Sequence, residues 1–199
     1  MDLQPVIQAS ANGHGVDREE KMLKSFVVAA ALGAMLGACG PALAQSPPPV
    51  ANPLDAIPDK MPFNTPYGPP ISLARAQSLI AAATGEAEKH GWALNVAVVD
   101  SGANLVAFAR MDGAQYASIA ISEHKARAAV TYRRPTRLFE DALQLKDFKY
   151  ILTLDGVIAS RGGIPLIEDG KIIGAIGCSG GTGSQDEVAC AAAAATIAK

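Results

Sequence analysis

The chain has 199 residues, enough for one globular domain and an extra segment, with 17 Lys and Arg against 19 Asp and Glu. A net charge of −2 excludes a nucleic-acid binder that works through its overall field. Charged residues at 18% and hydrophobic residues at 49% exclude a disordered chain, and three cysteines exclude a disulfide-dense scaffold.

The first segments read as address and tether. Residues 1–21 carry Asp17, Glu19 and Glu20 and read as an over-long start, with Met22 the expected initiator. Met22 to Lys24 is a short positive start, followed by an uncharged run from Phe26 to Ala38. Gly40-Pro41 breaks the run, and Ala42-Leu43-Ala44 is an A-x-A cleavage site. This predicts a signal peptide over 22–44, a mature chain from Gln45, and a periplasmic or secreted protein. The run falls short of the roughly 20 apolar residues that span a bilayer, so the chain is not expected to be transmembrane. Leu36-Gly37-Ala38-Cys39 also resembles a lipobox, which would make Cys39 a lipidated N-terminus. Plain cleavage is the preferred expectation.

Residues 45–70 form a Pro-rich tether, with prolines at 47, 48, 49, 53, 58, 62, 66, 69 and 70. Met61, Phe63 and Tyr67 are apolar anchors that allow its end to pack on the domain. The tether is expected to be dispensable for folding.

One domain, 71–199, remains. Ser72 caps a helix with apolar residues Leu73, Ala76, Ile80, Ala83 and Ala87 at helical spacing, ended by Gly91. Leu94–Asp100 and Asn104–Arg110 read as a β-hairpin. Tyr116–Tyr132 is a second helix stopped by Pro135, and Thr136 caps a third through Leu145. Val157–Arg161, Pro165–Glu168 and Lys171–Cys178 read as three more strands, the last two joined by an Asp169-Gly170 turn. Ser184-Gln185-Asp186-Glu187 reads as a capping box opening an Ala-rich helix. The order α-β-β-α-α-β-β-β-α implies an α/β domain of the α+β type, with an antiparallel sheet and segregated helices.

The densest charge pattern holds Lys125, Arg127, Arg133, Arg134 and Arg137, with His124, against the single acid Glu123. Arginine forks match carboxylates, so one reading is a site for an anionic small molecule. The other is a solvated helix face, or arginines paired with acids across a subunit contact. Gly174 to Gly183 runs from a strand into a capped helix. Its spacing matches neither the dinucleotide fingerprint nor the P-loop. Small residues there either expose N–H groups to an anion or let strand and helix approach closely.

Of the histidines, His90 sits where a cation favours the helix dipole, and His124 is a candidate haem-iron ligand. No spacing resembles a zinc site. Asp100 and Asp112 flank the hairpin; Asp112 and Lys125 are the candidate acid/base groups, although turn aspartates usually bond backbone. No G-x-S-x-G elbow supports hydrolase chemistry. Cys178 and Cys190 are either a disulfide or two buried thiols.

AVVDSGANLVAFARMDGA, ISEHKARAAVTYRRPT, GGIPLIEDGKIIGAIGCSGG and SQDEVACAAAAA, in that order, resemble the GlcG/HbpS family, the haem-degrading domain family, which also includes the C-terminal domain of PduO-type proteins. The resemblance spans roughly residues 71–198. It implies a PAS- or profilin-like fold with a five-stranded antiparallel sheet and symmetric homo-oligomers. Some members bind haem, and some degrade it. The family's lysine-bearing helix matches Lys125, its Arg-Pro-Thr segment Arg134, Pro135 and Thr136, its Gly-Gly-x-Pro turn Gly162, Gly163 and Pro165, and its Gly-rich strand end Gly174 to Gly181. The chain departs from the family pattern at His124, at Cys178 and over 150–157.

The expectation is an exported haem-binding protein, with Lys125, Arg133, Arg134, Thr136, Gly180 and Gly181 as ligand contacts, haem as cofactor, and no nucleic-acid partner. The alternatives are an enzyme or accessory protein acting on a small organic acid or corrinoid, and a ligand-free assembly module.

Overall fold

A computed structural model describes residues 52–197. The export signal, its cleavage site and Cys39 lie outside the described residues. The chain separates into two units, Met1–Leu54 and Asp55–Lys199, and the fold is that of the second.

Its elements are α1 (Leu73–Lys89), β1 (Asn95–Asp100), β2 (Leu105–Arg110), α2 (Ala117–Thr131), α3 (Arg137–Gln144), β3 (Gly163–Glu168), β4 (Lys171–Ser179) and α4 (Gly183–Ala194). The strands form one antiparallel sheet in the order β2-β1-β4-β3. Helix α2 covers one face, over Ala97, Val99, Ile172 and Ala175. Helices α1 and α4 pack together on the other face, over Val96, Val98, Ile176 and Cys178. The alternation of β1 between the two faces is the period-2 pleat.

Local signals explain most boundaries. The Ser72 hydroxyl accepts from the Arg75 N–H, capping α1. Asp100 Oδ1 accepts from the N–H groups of Gly102 and Asn104 and closes the first hairpin. That is a turn role for Asp100. Asp169 and Gly170 both have positive φ, 48° and 71°, as a two-residue hairpin of the I′ kind requires. Pro165 is tolerated because β3 is an edge strand.

Four expectations are corrected. The sheet has four strands, not five. Residues 157–161 form no strand, because the Arg161 N–H donates to Glu140 Oε2 at 2.7 Å instead of to a ladder partner. The buried face of α1 also uses Leu79, which was not expected, with Ile80 only partly buried beside it, and Leu73 is half exposed. The α4 capping box starts two residues earlier than read. Thr182 is extended, its hydroxyl accepts from the Gln185 N–H, and Gln185 Oε1 accepts from the Thr182 N–H. Thr136 stands at the N-cap position of α3 in helical conformation and makes no cap bond. Its hydroxyl accepts from the Gly163 N–H at 2.9 Å, and its own N–H donates to the Gly163 carbonyl at 2.9 Å. It ties the α2–α3 corner to β3.

The end of the Pro-rich tether belongs to the domain. Tyr67 forms an isolated parallel bridge with Ile172. The Ile172 N–H donates to the Pro66 carbonyl, the Gly68 N–H to the Ile172 carbonyl, and the Ile71 N–H to the Ile173 carbonyl. The Tyr67 hydroxyl donates to the carbonyls of Val130 and Thr131, the last turn of α2. Met61 makes no such anchor and is largely exposed.

Cys178 on β4 and Cys190 on α4 form a disulfide, with Cα atoms 5.8 Å apart and both residues fully buried. The bridge joins the sheet to the helix layer opposite α2.

We expect Tyr67→Phe to lower unfolding free energy by about 0.5–1.5 kcal/mol in urea denaturation, through loss of the hydroxyl's hydrogen bonds. An unchanged midpoint would mean the Tyr67 hydroxyl contributes nothing to the fold.

Candidate functional site

Small residues decide how deep α2 sits. A side chain on Gly177 would run into the backbone of Ser122 and Ala126, and one on Gly163 into the Lys125 carbonyl and Thr136. Without them the α2 backbone settles onto β3 and β4. That descent draws the Lys125 side chain under the surface, where it is 1% exposed.

Lys125 Nζ lies 2.8 Å from Asp186 Oδ2 and donates to the Cys178 carbonyl at 3.2 Å. Asp186 Oδ1 accepts from the Gly181 N–H at 3.0 Å. The positive end of α4 is therefore served by the chain's own carboxylate. Gly180, with φ of 151°, abuts the backbone of Ala93 and Leu94. Lys125 and Gly181 both donate to Asp186, so these donors are turned inward, and Gly180 is packed against Ala93 and Leu94.

Beside this pair runs a second ionic network. Arg161 donates from Nε and Nη2 to Glu140 Oε1 at 2.8 and 2.7 Å, and lies 3.6 Å from both Asp141 and Glu187. Arg137 reaches Asp141 and Glu187 at 3.5 and 3.6 Å. Burial pushes the Glu140 carboxyl up, but the hydrogen bonds and charge of Arg161, with the charge of Lys125, outweigh it and hold it below the usual carboxylate range. Hydrogen bonding to Glu140 raises Arg161 in turn. Arg127 pairs with Glu123 on the α2 surface. These three arginines are paired with acids of the same chain, not across a subunit contact.

Arg133 and Arg134 differ. Neither forms an ion pair among the described residues. Arg133 follows the end of α2 with φ of 55° and holds its guanidinium 4.9 Å from the Tyr67 ring. Arg134 Nε donates to the Tyr132 carbonyl at 3.0 Å, and its guanidinium stacks 3.7 Å from the Phe63 ring centroid. Phe139 and Tyr132 lie 5.4 and 6.0 Å away. Burial pulls the Arg134 pKa down, while Tyr150 and Tyr132 act the other way. Phe63, Tyr67 and Tyr150 are each about two-fifths exposed. The result is a nest of two guanidiniums walled by aromatic rings and open to solvent. Such a nest suits a flat, apolar molecule that carries carboxylates.

The remaining candidates lie apart from the nest. His124 is half buried on α2 and makes no hydrogen bond or ion pair among the described residues. No group of three or more metal-ligating side chains occurs among the described residues. Asp112 lines an open cleft of about 380 Å³ with Glu88, Gly91, Trp92, Ala93 and Met111. His90 stacks on Trp92 at 4.3 Å and lies 3.4 Å from Glu86. Two kinds of residue escaped the sequence reading. Asp186 was read only as part of a capping box, with no signal pointing to Lys125, 61 residues away. Phe63 and Tyr67 had a signal, as apolar residues at the end of a tether, but no indication of what they would touch.

Lys125→Met should destabilise the fold by about 3–5 kcal/mol, because it leaves Asp186 buried without its cation. The double variant Lys125→Met/Asp186→Leu should recover most of that loss in chemical denaturation. A mild single-variant effect would show that the pair is not buried in solution.

Glu140 gives a pH test. Its pKa is depressed in the fold, so its stabilisation is complete above the ordinary carboxylate range and is lost as pH falls through the depressed value. Glu140→Gln should therefore flatten the acid limb of the stability curve measured from neutral to about pH 3. An acid limb as steep as the parent's would remove Glu140 from this role.

Comparison with known proteins matches this arrangement to a family. The family described as "Haem degrading protein HbpS-like" matches residues 71–196. Protein GlcG of Escherichia coli K12 is 40% identical over 109 residues, covering 55% of this chain and 81% of GlcG. The crystal structure of Klebsiella pneumoniae protein ORFY superposes with a TM-score of 0.62 at 33% identity, covering 68% of this chain and 95% of that one. A PduOC:heme complex superposes with a TM-score of 0.59 at 27% identity, covering 64% and 95%. With its family match running from Ile71, just ahead of the α1 cap, into the last turn after α4, the chain belongs to the HbpS-like haem-degrading protein family.

Proposed function

We propose that this chain is an exported haem-binding protein that holds haem at the Arg133–Arg134 nest. One observation carries the reading. Arg134 is a partly desolvated cation without a carboxylate among the described residues, set among aromatic rings. Haem offers the complement, two propionates on a flat apolar ring. The guanidiniums take the propionates, and Phe63, Tyr67 and Tyr132 pack against the ring edge. Haem would bring its iron and its redox chemistry. The chain's own part is to bind and orient the propionate edge.

The nest itself supplies no histidine, and the hydroxyls of Tyr67 and Tyr132 already donate to backbone carbonyls. His124, nine residues before Arg133 in the chain, is the iron-ligand candidate this reading retains. The family and a haem-bound relative support the choice of ligand. The buried disulfide supports a periplasmic or secreted location, since such bonds persist in oxidising compartments. No helix among the described residues is long and apolar enough to cross a membrane. Self-association into a symmetric oligomer is part of the same proposal.

Haem titration of the full chain tests it. A Soret shift should saturate at one haem per subunit. Arg134→Glu should weaken binding by about tenfold or more, through lost attraction and added repulsion, and Arg134→Gln should weaken it less. Thr136→Val, which breaks the bond to Gly163, should lower stability and leave haem affinity unchanged. Unsaturable spectra, or Arg134→Glu binding haem as the parent does, would overturn the proposal.

A further inference from the structure

Helix α2 has 15 residues and is about 22 Å long, so its N-terminal end lies well away from the arginine nest. Under that end the strand register sets three residues in a row. Asn95 of β1 faces Arg110 of β2 on one side and Ser179 of β4 on the other. Directly opposed residues in an antiparallel sheet share a face, here the α2 face that Ala97 and Val99 also occupy.

Asn95 is fully buried. Its Nδ2 donates to the Gln115 carbonyl at 3.2 Å and to the Ser179 carbonyl at 3.5 Å. Its Oδ1 has no partner, alone among the buried side-chain polar atoms of the described residues. Turning the amide over would set that oxygen against two carbonyls, so the orientation is decided by its neighbours. A buried carbonyl without a donor costs about 1–3 kcal/mol, and folded proteins rarely leave one.

The surroundings of this acceptor are cationic. Arg110 forms no ion pair among the described residues and lies 5.0 Å from the exposed Tyr116 ring. Tyr116 is the N-cap residue of α2 and makes no side-chain cap bond, so the positive helix end has no side-chain anion of its own. The α4 end differs in this respect, because Asp186 fills it. On this side Asn95 is joined to the carbonyl of Gln115, which is exposed, as is Tyr116 next to it.

We infer that the Asn95–Arg110 row beneath the α2 N-terminus is a second ligand site, for a small hydroxycarboxylate. The carboxylate meets the Arg110 guanidinium and the helix end. The hydroxyl donates its proton to Asn95 Oδ1, a bond that a plain carboxylate cannot make. The site shares no residue with the Arg133–Arg134 nest, so it does not depend on haem binding.

Calorimetric titration of the full chain with lactate and with propionate, the same skeleton without the hydroxyl, tests the inference. Lactate should bind about tenfold or more tighter than propionate. Arg110→Gln, at an exposed position, should weaken lactate binding by a similar factor, and Asn95→Leu should abolish the preference for lactate. Arg134→Glu should leave lactate binding unchanged, which separates this site from the haem proposal. Should Asn95→Leu fail to fold, the lactate–propionate comparison and Arg110→Gln decide alone. Equal affinities, no lactate binding at millimolar concentration, or indifference to Arg110→Gln would overturn the inference and leave Asn95 as a water site.

Discussion

The buried pair between Lys125 and Asp186 is the interaction on which the rest of the arrangement depends. It joins α2, the end of β4 and the start of α4 in one place, through Nζ to the carboxylate, Nζ to the Cys178 carbonyl, and the carboxylate to the Gly181 N–H. A lysine ammonium is costly to bury, and the cost is met only when its donors are matched. Matching requires α2 to lie close to the sheet, and the bare backbone at Gly163 and Gly177 allows that. It also requires α4 to begin at Gly183, so that Asp186 faces inward. The pair is thus a geometric condition on three elements more than a source of net stability.

Two features follow from the depth of α2. Its C-terminal end meets the tether, where Tyr67 donates to the last α2 carbonyls and Phe63 lies on Arg134. Its N-terminal end hangs over the open side of the sheet, above Asn95 and Arg110. The middle of the helix is committed to Asp186 and to the glycine floor. The two ends differ from the middle in carrying arginines that lack an acid among the described residues, Arg110 near one and Arg133 and Arg134 at the other. The disulfide acts on the opposite face, holding α4 against β4 at Cys178, the same residue whose carbonyl receives Lys125.

Most of the fold was legible because its signals are local. A serine before an apolar helical stripe, the Asp169-Gly170 turn dipeptide and a proline after a basic helix mark boundaries that depend on neighbours in sequence. The errors came where a longer-range partner captured a local group. The Arg161 N–H went to Glu140, so a β-rich stretch formed no strand. The Thr136 hydroxyl went to Gly163, so an apparent helix cap became a tie between elements. Thr182 took the cap read for Ser184, and Glu187, the other half of that expected box, faces Arg137 and Arg161 instead.

The sequence by itself determined most of the order of the elements, the family, and the presence of a basic helix with more arginines than local acids could match. These properties are carried by periodicity, turn chemistry and composition, which need no knowledge of distant neighbours. Only the tertiary structure decided which cations were already paired. Lys125, Arg137 and Arg161 look like Arg133 and Arg134 in a one-dimensional reading. They differ because their partners, Asp186, Glu187 and Glu140, come from other elements. Whether a charge is available to a ligand is a property of what folds against it, and that is settled in space rather than along the chain.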